Sequence, residues 1–109
     1  MAYDQQLAER IGKVMKRYKG VEEKKMFGGV CYLLNGNMCC GVVGDNLMLR
    51  VGKDLAAMLL LEKHVREMDF TKRVIKSMVY ILPEGLQSDE QLKKWLKHAI
   101  AFVKTLPAK

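Results

Sequence analysis

Cys31 and Cys40 are the residues whose types and spacing come nearest to chemistry in this chain. Between them lies Asn35-Gly36, flanked by apolar runs. That pair is a strong hairpin signal, because a type I′ turn needs positive φ at both central positions. A two-residue loop there pairs Leu34 with Asn37, Leu33 with Met38, Tyr32 with Cys39 and Cys31 with Cys40. Cysteines facing each other at a non-hydrogen-bonded pair would have Cα atoms ~4.5 Å apart, at the low end of disulfide geometry. Cys31 and Cys40 are therefore a candidate redox pair. The plainer alternative is two small thiols in a core, the usual state of buried cysteine. Cys39 and Cys40 are neighbours, so strand alternation sends them to opposite faces and a shared metal is not expected.

Other constellations fall short. A structural zinc site needs about four converging ligands. Three cysteines with His64 or His98 would supply them only if both sheet faces met. His98 falls on the polar side of the last helix, and His64 falls at a helix end, where histidine interacts with terminal carbonyls. No Gly-x-Ser-x-Gly, P-loop or Gly-x-Gly-x-x-Gly motif occurs. Gly28-Gly29 precedes a strand rather than a helix, so it reads as a bend and not a phosphate cradle. Asp69 is a lone carboxylate that would orient Arg66 or Arg73, or cap a turn. Without a partner base it is not an active site. No catalytic set, metal or cofactor is expected, and no small-molecule substrate is suggested.

The elements around these residues follow from periodicity. Tyr3, Leu7, Ile11, Val14, Met15 and Tyr18 recur at helical spacing among charged residues, with Asp4 as cap and Gly20 as stop. Residues 22–27 read as a short strand, 30–34 and 37–43 as the Asn-Gly hairpin, and a second two-residue turn at Gly44-Asp45 or Asp45-Asn46 leads to a further strand. Residues 54–61 read as a helix capped by Lys53 or Asp54. Residues 64–68 read as extended, and 74–82 as a strand in which Val74, Ile75, Met78 and Val79 break strict alternation. Ser88-Asp89-Glu90-Gln91 is a capping box, followed by Leu92, Trp95, Leu96, Ala99, Val103 and Leu106 on one helical face until Pro107. The expected class is α+β: an antiparallel sheet of five or six strands in the order α-ββββ-α-β(β)-α, with flanking helices mainly on one side.

The two turns sort the strand residues onto two faces. One collects Cys31, Leu33, Met38, Cys40, Val42, Leu47, Leu49 and Val51, all apolar, and is the expected core face. The other is mixed, and its Tyr32, Leu34, Cys39, Val43 and Met48 form a partly apolar patch. Such a patch marks an interface unless a helix covers it. Met38, Met48, Met58, Met68 and Met78 fall ten apart, but their neighbours share nothing, so the spacing reads as chance.

The 109 residues fit a single domain, and half of them are hydrophobic, enough for a core. The N-terminus lacks a signal-peptide pattern. The longest apolar run, Leu55 to Leu61, is far short of the ~20 residues of a membrane span. Free thiols, no Cys-x-x-Cys and these absences suggest a soluble, cytoplasmic protein with no membrane partner. The net charge of +7 invites a nucleic-acid or acidic partner. The cations are spread along the chain, with clusters at Lys13/Lys16/Arg17/Lys19, Lys72/Arg73/Lys76 and Lys93/Lys94/Lys97. Interrupted clusters of this kind commonly form solvated faces.

Lys24-Lys25-Met26-Phe27-Gly28-Gly29, Asn35-Gly36-Asn37-Met38, Arg50-Val51-Gly52, His64-Val65-Arg66 and Met68-Asp69-Phe70 closely resemble the TfoX N-terminal domain family. The likeness covers nearly the whole chain. It implies a fold like that of type III secretion chaperones and supplies no catalytic residues. The larger TfoX/Sxy-like members of the family are regulators that switch on genes for DNA uptake and carry a second, C-terminal domain. By this likeness the chain reads as a stand-alone single-domain member, residues 1–109. The family often has proline before the methionine of Met-Asp-Phe. Here Glu67 stands there, which implies a looser bend.

Two functions follow as expectations. The first is a non-enzymatic regulatory or interaction module that self-associates or binds a protein partner through Tyr32, Leu34, Cys39, Val43 and Met48. The second is a nucleic-acid-binding accessory domain linked to transcription or competence, with Lys13, Arg17, Lys24, Lys25, Arg50, Arg66 and Arg73 as contacts. The second predicts a steep salt dependence from counterion release. Against it, aromatics are few and no recognition motif is visible.

Overall fold

The computed structural model describes residues 3–26, 29–70 and 73–108, with backbone alone at Met26, Asp69, Phe70, Arg73 and Val74. Among these residues the chain forms three α-helices and six strands. They are α1 (Gln5–Met15), β1 (Val21–Met26), β2 (Gly29–Leu34), β3 (Asn37–Val43), β4 (Asn46–Arg50), α2 (Lys53–Leu59), β5 (Val65–Phe70), β6 (Arg73–Ile81) and α3 (Asp89–Val103). All strand pairings are antiparallel, in the spatial order β1-β2-β3-β4-β6-β5. The expected α+β class holds, with six strands.

Local chemistry sets the helix ends. The Asp4 carboxylate accepts from the N–H groups of Gln6 and Leu7 and so caps α1. The helix ends at Met15, earlier than a stop at Gly20 would allow, because Arg17 and Tyr18 bond back to Val14 and Met15 in tight turns. The capping box of α3 is complete: Ser88 Oγ accepts from Gln91 N–H, and Gln91 Oε1 accepts from Ser88 N–H. Helix α2 starts at Lys53, with Gly52 at its cap position and no side-chain cap. Gly52 has a φ of 85°, and a Cβ there would lie 2.7 Å from the Phe102 ring. Its backbone N–H, with that of Val51, donates to the carbonyl of Ser77.

The main core lies between the sheet and helices α1 and α3. Leu7, Ile11 and Met15 from α1, and Leu92, Trp95, Leu96, Ala99 and Ile100 from α3, pack on Val42, Leu47, Leu49, Val79 and Ile81. Trp95 Nε1 donates to the carbonyl of Gly85, so its buried polar atom is satisfied. Each such aliphatic side chain, fully buried, contributes about 1.5–3 kcal/mol.

The Asn-Gly turn is as expected. Asn35 has φ 54° and Gly36 φ 83°, and Leu34 faces Asn37 and Leu33 faces Met38. Beyond that the pairing differs. A β-bulge at Cys39 leaves Tyr32 opposite Cys40, Cys31 opposite Gly41 and Val30 opposite Val42. One extra residue reverses which side of β3 shares a face with which side of β2. The face with Cys40, Val42, Leu47, Leu49 and Val51 is the helix-covered core, as expected for those five. On β2, however, Val30, Tyr32 and Leu34 point into that core, while Cys31 lies on the opposite face. Met38 also lies on that opposite face. The Tyr32 hydroxyl reaches Ala8 of α1, donating to its carbonyl at 2.8 Å.

A second irregularity occurs where the sequence pattern broke. Glu67 faces Val79 but Met68 faces Ile75, so residues 76–78 of β6 bulge from the β5 ladder. This accounts for the lost alternation of Val74, Ile75, Met78 and Val79, and it falls at Glu67, where a looser bend was expected. The bulged segment includes Ser77, whose carbonyl receives the start of α2.

Candidate interaction surface

The bulge at Cys39 divides the expected apolar patch. Tyr32, Leu34 and Cys39 are buried in the core beneath the helices, whereas Val43 and Met48 lie on the other face. The five residues therefore do not form one surface. The same bulge separates the candidate redox pair: Cys40 belongs to the helix-covered core and Cys31 to the opposite cluster. Cys39 and Cys40 do not take opposite faces, since both lie in the main core. All three thiols are free and buried. Burial pushes the Cys31 thiol up to about 11. The adjacent Cys39 thiol, together with full burial, holds Cys40 well above the ordinary thiol range.

The face opposite the helices carries a second apolar cluster. Cys31, Met48, Met68 and Met78 form its buried floor, with Met38, Val43, Ile75 and Tyr80 partly buried around them. Among the described residues every member comes from a strand, and none from a helix. Four of the methionines spaced ten apart thus meet in one place. That spacing was the available sequence signal, but only the strand pairings β3–β4, β4–β6 and β5–β6 bring the four together. Methionine is unbranched and polarizable, and methionine-rich surfaces adapt to varied partners.

The cluster continues outward along α2. A groove of about 260 Å³ is lined by Ala57, Leu60, Ile75 and Met78, with Lys53, Lys76 and Glu67 among its lining residues. Next in sequence to Ala57 and Leu60, Met58 and Leu61 are 65% and 89% exposed, more than any other large hydrophobic described. Isolated exposed apolar side chains need no explanation; grouped ones are the feature to account for.

Of the seven candidate nucleic-acid contacts, the six whose side chains are described are not brought together. Lys13 and Arg17 are exposed near the end of α1. Lys24 and Lys25 lie exposed on β1 at one edge of the sheet, and Arg66 on β5 at the other. Charges on an edge strand keep its free N–H and C=O groups from pairing with another chain. Arg50 is half-buried, with its guanidinium donating to the Met38 carbonyl and lying 6.0 Å from the Phe102 ring centre. The side chains of Arg73 and Asp69, and the Gly28 half of the Gly28-Gly29 bend, lie outside the described residues. His64 stands just before β5 with φ 69°, and His98 is half-buried with its ring 6.5 Å from that of Trp95. Among the described residues no three His, Cys, Asp or Glu side chains cluster as metal ligands would, and no helix is long and apolar enough to cross a membrane.

No curated protein and no solved structure matches the chain. The family model for the TfoX N-terminal domain, in contrast, matches residues 13–103, a span from the last turn of α1 to the end of α3. That span contains all six strands, both bulges and the methionine cluster, and on this match the chain belongs to the TfoX N-terminal domain family.

Proposed function

We propose that this chain is a non-enzymatic protein-interaction module that associates with a second copy of itself through the methionine-lined sheet face. The observation that carries this reading is the buried cluster of Cys31, Met48, Met68 and Met78, to which no helix contributes among the described residues, and whose half-buried rim at Ile75 runs into the groove of Ala57 and Leu60. The groove lining holds cations and an anion, Lys53 and Lys76 with Glu67. A mixed-sign rim suits a two-fold contact, in which Lys76 of one copy meets Glu67 of the other. Strand addition at the sheet edges is the less favourable route, because β1 exposes Glu22, Glu23, Lys24 and Lys25. A regulatory role in the cytoplasm fits the family and would act through such a contact.

Sedimentation velocity over a concentration series tests the reading. Wild type should sediment as a dimer at high concentration. Ile75→Lys, at a half-buried rim position, should sediment as a monomer with its melting transition retained. A wild type that stays monomeric at all concentrations would overturn the reading. So would an Ile75→Lys variant that dimerises like wild type.

A further inference from the structure

We infer that the groove between α1 and α3 is a docking site for an acidic protein segment carrying aliphatic anchor residues. This surface is distinct from the methionine face, because α1 and α3 cover the opposite side of the sheet. Its apolar lining is Val14 and Tyr18 from α1 and its following turn, with Leu96 and Ile100 from α3. Arg17 stands on one wall, and Lys93 and Lys97 on the other. Thus three cations and no carboxylate line the groove. Lys104 adds a fourth charge over the Tyr18 ring, 5.3 Å from its centre. On the outer face of α3, Lys94 joins Lys93 and Lys97, with Glu90 and His98 beside them.

The occupant follows from this charge and shape. In a chain of net charge +7, three cations and no carboxylate surround this apolar slot, so its complement is anionic with an apolar centre. The slot holds about 250 Å³, below the usual 300–1,000 Å³ of small-molecule sites. That suits the insertion of aliphatic side chains from a docked segment. A single nucleic-acid strand would need exposed aromatic faces for stacking. Here the lining is mainly aliphatic, and the one aromatic ring is already faced by Lys104. An amphipathic segment with leucines on one side and glutamates flanking them matches both features.

Fluorescence anisotropy with three labelled probes tests the inference. They are a glutamate-rich peptide with leucines at helical spacing, the same peptide with serines for leucines, and a single-stranded oligonucleotide. The leucine peptide should bind best, and the serine peptide roughly tenfold more weakly, a difference of about 1.4 kcal/mol. The combined variant Arg17→Glu/Lys93→Glu/Lys97→Glu should lose roughly tenfold or more, and added salt should weaken binding further. These side chains are exposed, so its melting transition should match wild type. If it does not, the milder Arg17→Gln/Lys93→Gln/Lys97→Gln variant carries the same comparison. Ile75→Lys should bind the peptide like wild type, which separates this site from the dimer face. Equal binding of the two peptides would overturn the inference, as would unchanged binding by the charge variants or absence of peptide binding. Preference for the oligonucleotide would also overturn it and make the groove a nucleic-acid surface.

Discussion

Replacing Tyr32 tests the bulge that decides which residues are surface and which are core. Tyr32 is 3% exposed, and its hydroxyl donates to the Ala8 carbonyl at 2.8 Å. Tyr32→Phe removes that hydrogen bond and little else. A helical carbonyl keeps its ladder partner, so the cost should be about 1 kcal/mol, or roughly 4 °C in melting temperature for a chain of this size. Tyr32→Ala also removes the ring from between sheet and α1, at about 3–5 kcal/mol. Since domains are stable by about 5–15 kcal/mol, that is a large share of the total. Leu33 is half-buried on the other side of β2, so Leu33→Ala should cost about 1 kcal/mol. Urea denaturation with a common m-value gives the three differences directly. The reasoning fails if Leu33→Ala is the more damaging truncation and Tyr32→Ala is nearly neutral. That result would restore an unbulged ladder with Leu33 in the core.

Four further perturbations probe the frame. In the native protein Cys31, Cys39 and Cys40 should react slowly with a thiol reagent and all three should react in denaturant; fewer than three on unfolding would mean a disulfide. Because burial raises Cys31 to about 11 from 9.0, the unfolded chain releases this proton first, so stability should fall as pH rises from about 9 to 11. A flat urea midpoint across that window would contradict this. Gly52→Ala should destabilise by about 1–3 kcal/mol, since φ is 85° and the new Cβ meets Phe102, and thermal melting reads the loss. Ser88→Ala should cost about 1 kcal/mol through loss of the α3 capping box, with amide exchange rising first in residues 89–92.

Much of the frame was legible in sequence because it rests on local chemistry. Asp4 and the Ser88–Gln91 box fix helix starts through their own hydrogen bonds, and Asn35-Gly36 fixes a turn through φ alone. The facing of β2 was not legible. Val30, Cys31, Tyr32, Leu33 and Leu34 are apolar or amphipathic throughout, so no polar residue marks the side away from the helices. Nothing in a run such as Met38-Cys39-Cys40-Gly41 announces an extra residue, because either facing of Cys40 buries a thiol. In β6 the broken alternation did signal an irregularity. Its role in receiving α2 at the Ser77 carbonyl depends on a tertiary contact no local pattern contains. The methionine cluster escaped for a related reason. Strand pairing, and not sequence similarity around each methionine, brings Met38, Met48, Met68 and Met78 together.

Methyl spectra of protein labelled at the methionine methyl groups test the central claim most directly. The methyls of Met38, Met48, Met68 and Met78 lie in the proposed contact face, while Met15 is buried in the helix-covered core and serves as an internal reference. On raising the protein concentration, the Met38 and Met78 resonances should shift or broaden most, and Met15 should stay fixed. Spectra in which the four methyls do not change with concentration, or change no more than Met15, would contradict association through this face.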